Sequence, residues 1–82
     1  MQKYLVTYVK PRFTANGVSV LEHATAYLLA GDPEQIPFLG SKEPLSSVVN
    51  KLSRQGFYSK VLVEGKRTWI MPAAILAVQE AK

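Results

Sequence analysis

The stretch Pro44-Leu45-Ser46-Ser47-Val48-Val49-Asn50-Lys51-Leu52-Ser53-Arg54-Gln55-Gly56-Phe57 reads as one helix with a hard stop. Leu45, Val48, Val49 and Leu52 fall at i, i+3, i+4 and i+7, the spacing of a single buried stripe. Pro44 suits the first turn, where a backbone N–H has no helical partner to lose. Gly56 supplies the left-handed residue that ends a helix. Phe57 follows where such a stop takes an apolar side chain folded back on Leu52. The opposite face repeats the same spacing with Ser47, Asn50, Lys51 and Arg54, a stripe of donors, acceptors and positive charge. In a DNA major groove Asn pairs bidentately with adenine, Arg and Lys meet guanine or phosphate, and Ser meets phosphate. A plain solvated face carries the same residue types, so the helix alone does not decide between the two readings.

Two β-rich runs follow, from Tyr58 to Met71, joined at Glu64-Gly65-Lys66-Arg67, a glycine-containing tight turn. The tip of this hairpin carries Lys66 and Arg67, with Lys60 nearby. Over residues 44–71 the order of helix, glycine, aromatic pair, strand, Gly-Lys-Arg and aromatic strand resembles the recognition helix and wing of winged-helix DNA-binding domains. Ser47, Val48, Leu52, Gly56, Phe57, Gly65, Arg67 and Trp69 carry the resemblance. It implies a small α+β winged-helix-like domain, with helix 44–55 in the major groove of double-stranded DNA and hairpin 58–71 as a wing on the backbone or minor groove. The implied DNA-binding residues are Ser47, Asn50, Lys51, Arg54, Lys60, Lys66 and Arg67. The implied role is that of a small transcriptional regulator, and regulators of this family are commonly dimers.

Charge is distributed in keeping with that reading. Of the net +4, residues 1–21 contribute +3, residues 22–43 contribute −3 and residues 44–82 contribute +4. A basic balance attracts any polyanion without specifying a sequence.

Upstream, Gln2 to Lys10 alternates and is rich in β-formers, with Tyr4, Val6 and Tyr8 on one face and Leu5, Thr7 and Val9 on the other. The tyrosines are read as core or half-core residues, although exposed tyrosines could also stack on bases. Pro11 ends or bulges the strand. Asn16-Gly17 signals a turn, and the segment after it reads two ways. As a hairpin, Ala15 would pair with Val18 and Leu5 would face Leu28, placing Leu5, Val9, Phe13, Val18, Val20, Ala24, Ala26 and Leu28 on one face. As a helix, Ser19-Val20-Leu21-Glu22 is a capping box and Gly31 is the stop. Leu21, Ala24 and Leu28 keep helical spacing and Ala24, Ala26 and Ala30 are good helix formers, so the helix reading is adopted; it also fits the winged-helix pattern, which needs a supporting helix there. Asp32-Pro33-Glu34-Gln35 starts a further helical turn that Pro37 cuts short. This departs from the usual longer second helix, and Gly40 lies far ahead of Val48 for a tight turn. After the hairpin, Pro72 starts a short last helix, Ala73 to Ala81, with Trp69 and Ile70 read as core.

Residues 1–82 are long enough for a single small domain. There is no cysteine, which excludes disulfides and cysteine-ligated metals. No run approaches the roughly 18 apolar residues of a membrane span. The N-terminus leads into a strand pattern without a signal-peptide core, so a cytoplasmic protein is expected. His23, the only histidine, has no partner for a metal and is read as a partly exposed helix residue. Ser46, Ser47 and Ser53 lack a recognisable base, and no phosphate loop, paired-carboxylate motif or dinucleotide fingerprint occurs. Gly31 to Pro37 resembles a helicase motif, but the chain has no phosphate loop and is too short for a motor domain. An enzyme, a cofactor and a membrane partner are therefore not expected. The alternative to DNA binding is a non-enzymatic protein–protein interaction module, such as a phage or plasmid accessory or inhibitor protein. Neutralisation of the basic residues by Glu43 or Glu64 would favour that alternative.

Overall fold

A computed structural model of the chain describes residues 2–13, 16–17, 19–63 and 66–81, and for 11–13, 19, 59–63, 66 and 67 it describes the backbone alone. The first strand, β1 (Lys3–Phe13), lies at the centre of a three-stranded antiparallel sheet. It is flanked by β2 (Ser19–Leu29) on one side and β5 (Ile75–Ala81) on the other. Helix α1 (Leu45–Gln55) leads into a separate two-stranded hairpin, β3 (Phe57–Val63) and β4 (Lys66–Ile70). The molecule is elongated, 46 × 23 × 21 Å. It is a small α+β domain with one α-helix among the described residues.

Alternation along β1 decides which sheet face is inside. Tyr4, Val6 and Tyr8 are fully or almost fully buried, while Leu5, Thr7 and Val9 are only half-buried on the other face. Leu28 of β2, Leu39, Val48 and Leu52 of α1, Phe57 and Ile70 complete the core. Phe57 meets the edge of Tyr8 at 80° with ring centroids 5.5 Å apart, the preferred aromatic geometry.

Two of the expected helices are strands. Of the segment 18–30, Ser19–Leu29 form β2, although the segment carries a capping box and good helix formers. Glu22 stands opposite Lys10 in the ladder, 3.6 Å from its ammonium, instead of closing a helix on Ser19. Helix propensity differs between residues by tenths of a kcal/mol each. A β1 without partners would leave a whole row of backbone groups unpaired, so the ladder wins. The same reasoning applies to the expected helix Ala73 to Ala81. Only Pro72–Ala74 makes a single 3₁₀ turn, and Ile75–Ala81 pairs with the second flank of β1.

The register of β1 on β2 also differs from the hairpin alternative. Tyr4, not Leu5, faces Leu28, and Phe13 faces Ser19. One residue of slip turns every side chain of a strand to the other sheet face. It exchanges Leu5 and Val9 for Tyr4, Val6 and Tyr8 in the core and makes residues 14–18 the connection. Gly17 in that connection has φ +78°. Residues 14, 15 and 18 lie outside the described residues.

The turn at Asp32–Gln35 stops short of a helix. Asp32 Oδ1 accepts from the Glu34 N–H at 3.0 Å. Gln35 is buried and runs its side-chain amide along β2: Oε1 accepts from Leu29 N at 2.7 Å and Nε2 donates to Leu29 O at 3.0 Å. The loop is then tied to β3 by Tyr58 N donating to Ile36 O at 2.8 Å.

Helix 45–55 and the hairpin stand where the sequence puts them. Pro44 is the residue before the first helical turn, and Gly56 N donates to Leu52 O at 2.9 Å. Gly56 adopts φ 70°, ψ −154° because its α-carbon lies against the Ile70 backbone; a β-carbon there would stand 1.9 Å from Ile70 O. In the hairpin Phe57 pairs with Ile70, Tyr58 with Trp69, Leu62 with Arg67 and Val63 with Lys66. Lys66 and Arg67 therefore belong to β4, and the connection is residues 64–65, which lie outside the described residues.

Candidate interaction surfaces around helix α1

The polar stripe of α1 is divided by an acidic residue that precedes the helix. Glu43 lies one turn ahead of Ser47 and two turns ahead of Lys51, so its carboxylate overhangs the first half of the stripe. Ser47 Oγ donates to Glu43 Oε1 at 2.5 Å and Lys51 Nζ to the same oxygen at 2.7 Å. The Gly40 N–H donates to Oε2 at 2.9 Å, and Lys51 also donates to Phe38 O at 3.1 Å. These donors, Lys51 first, hold the Glu43 carboxyl down to about 2, well below the usual carboxylate range. Glu43 is thus fully ionised at neutral pH and balances the Lys51 charge.

Asn50 and Arg54 are exposed on the same helix face. The backbone of Lys60 lies on β3 and those of Lys66 and Arg67 on β4, while their side chains lie outside the described residues. Of the seven expected DNA-contacting residues, two are open to solvent, Ser47 and Lys51 are engaged by Glu43, and three are placed only by their backbone. The supporting helices of a winged-helix domain are absent among the described residues. Trp69, expected in the core, is 42% exposed and donates from Nε1 to Gln55 O at 2.8 Å, closing the last turn of α1. Ile70 is buried as expected. His23 lies exposed on β2 rather than on a helix.

A second feature sits beside α1. Val49, expected in the buried stripe, is 44% exposed and Leu76 is 53% exposed. They border a groove of about 220 Å³ between α1 and β5, lined also by Leu52, Pro72, Ile75 and Val78. The groove exists because residues 75–81 form an edge strand. Leu76 sits where the β1–β5 register shifts between Thr7 and Tyr8, so it is displaced from the regular ladder. Sequence reading missed the groove because Val49 fits a helical core stripe. Its only signal was the ambiguity of the Ile75-Leu76-Ala77-Val78 run, too short for its periodicity to separate strand from helix.

No group of three or more His, Cys, Asp or Glu among the described residues could hold a metal ion. No helix among them is long and apolar enough to cross a membrane. No family model, curated protein or solved structure matches this chain.

Proposed function

We propose that the chain is a non-enzymatic protein-interaction module that receives an apolar segment of a partner protein in the groove between α1 and β5. The observation that carries this reading is the exposure of Val49 and Leu76 across one apolar groove. Exposed apolar residues rimming a concavity are the ordinary mark of a docking site. The net charge of +4 favours a partner segment flanked by acidic residues. Glu43 adds support from the other direction, because it balances Lys51 and occupies Ser47 on the face expected to read DNA.

A selection of random peptides displayed on phage, using the purified chain as bait, tests the proposal. Apolar peptides with acidic flanks should be enriched, and their binding should fall at least about tenfold with Leu76→Asp and with Val49→Asp. Enrichment of no peptide class, or equal binding by these variants while circular dichroism shows the native fold, would sink it.

A second reading, binding of double-stranded DNA, is favoured by the exposure of Asn50 and Arg54 on one helix face of a basic chain. Anisotropy of labelled random duplex DNA at two salt concentrations tests it. Micromolar binding that falls steeply with salt would support it. Glu43→Gln should then strengthen binding by releasing Lys51. Absence of binding at low salt removes it.

A further inference from the structure

The outer edge of β2 carries a regular hydrogen-bonding row that no strand covers among the described residues. Ala30 N donates to Gln2 O and Tyr4 faces Leu28, so the even residues of β2 turn their backbone groups toward β1. The odd residues turn theirs outward. Leu29 shows this directly, since both its N–H and its carbonyl are taken by the Gln35 side chain. Gln35 imitates the next strand for one residue and then stops. Among the described residues, no strand pairs with the outer groups of Leu21, His23, Thr25 and Tyr27. Their side chains share the open sheet face, where Leu21 is 75% exposed and Tyr27 56% exposed. The β1–β2 register runs without a bulge from Lys3↔Leu29 to Phe13↔Ser19. A bulge is a usual guard of an exposed edge, and this edge has none; the one carboxylate on the inner face of β2, Glu22, is held 3.6 Å from Lys10 of β1.

We infer that β2 pairs antiparallel with β2 of a second copy of this chain, about a twofold axis at Ala24. In this register Leu21 faces the partner's Tyr27 and His23 faces the partner's Thr25. All four outward residues then exchange backbone hydrogen bonds reciprocally. Shifting the axis to Thr25 would require Leu21 to pair at Leu29, which Gln35 occupies. Shifting it to His23 would set Tyr27 opposite Ser19 and leave the apolar pair unmade. The Ala24 axis is the register that covers both exposed apolar side chains, in the cross-strand contact that favours sheets. Charge permits it: β2 holds one carboxylate and no Lys or Arg; that carboxylate, Glu22, stands 3.6 Å from Lys10 and would face the partner's Ala26, while His23 would face the partner's Thr25. The product is a continuous six-stranded sheet with α1 and the groove beside β5 left open. The inference therefore does not depend on the proposed function.

Sedimentation equilibrium of the full chain over a broad concentration series should show reversible doubling of mass. Thr25→Pro removes an N–H that points away from β1, a position where an edge strand tolerates proline. It should raise the dimer dissociation constant at least about tenfold, as should Leu21→Lys. Because the chain has no cysteine, single cysteines report the register. Ala24→Cys places two cysteines in a non-hydrogen-bonded pair with α-carbons about 4.5 Å apart, within disulfide reach. Under mild oxidation it should cross-link much faster than His23→Cys. A monomer up to the solubility limit, a dimer that withstands Leu21→Lys, or preferential cross-linking of His23→Cys would each overturn the inference.

Discussion

Lys51 Nζ stands 2.7 Å from Glu43 Oε1, the oxygen that also accepts the Ser47 hydroxyl. One carboxylate thus joins the chain entering the helix to two successive turns of it. The Glu43 carboxyl titrates at about 2 in the fold, against 4.5 when unperturbed, so protonating it breaks these contacts. A depressed carboxyl stabilises the fold fully above pH 4.5 and loses that contribution as pH falls toward 2. Thermal melts in steps from pH 6 to pH 2 should show the wild type losing stability across this window. Glu43→Gln should start lower and show a flatter profile, and an unchanged profile would remove Glu43 from the latch.

Gly56 and Ile70 meet backbone to backbone. Gly56→Ala should destabilise by at least about 3 kcal/mol, from a collision with Ile70 O and a backbone conformation reserved for glycine. Gly31 also has positive φ, 84°, but nothing stands within 4 Å of its would-be β-carbon. Gly31→Ala should cost only about 1 kcal/mol. Urea unfolding of both variants measures the contrast, and equal losses would show that the clash is relieved by movement of β4.

Gln35 is the buried polar residue that terminates the β2 edge. Gln35→Ala leaves Leu29 N and Leu29 O without their partner, and removes the donor 3.4 Å from Pro37 O. The cost should be about 2 kcal/mol, since each abandoned buried group costs about 1–3 kcal/mol less whatever water recovers. Hydrogen exchange should accelerate at the Leu29 amide more than at Leu28, whose amide faces β1. Uniform acceleration along β2 would mean that the residue acts on the whole strand.

Tyr4 is fully buried and its hydroxyl donates to the Glu43 carbonyl. Burial, with the negative charges of Glu80 and Glu43 behind it, pushes its phenol above the ordinary value of 10. A raised phenol stabilises the fold fully below pH 10 and loses that contribution as pH rises through the folded value. Tyr4→Phe should cost about 1 kcal/mol at neutral pH for the lost hydrogen bond. It should also soften the alkaline unfolding of the chain. Tyr8, pushed up by burial as well, remains in that variant and should leave a residual alkaline transition.

Much of the local structure was legible. Leu45, Val48 and Leu52 announced one face of α1, Gly56 announced its end, and the alternation of Tyr4, Val6 and Tyr8 announced a strand with the tyrosines inward. The candidate site was legible only as a list. Ser47, Asn50, Lys51 and Arg54 share a helix face, but the spacing says nothing of an acidic residue outside the helix that claims two of them. The segments 19–29 and 75–81 look helical in sequence because their alanines, capping residues and leucines suit a helix. What makes them strands is the requirement of β1 for a partner on each side, which no local window contains.

The sequence by itself determined one helix with a defined stop, a hairpin after it and a first strand with one apolar face, because each rests on contacts between near neighbours in the chain. Only the tertiary structure decided that β1 is flanked by β2 and β5, that Tyr4 rather than Leu5 faces Leu28, and that Glu43 occupies Lys51. These outcomes depend on which backbone groups and charges meet across long separations. There, a row of otherwise unpaired N–H and C=O groups outweighs the tenths of a kcal/mol by which one residue prefers a helix to a strand.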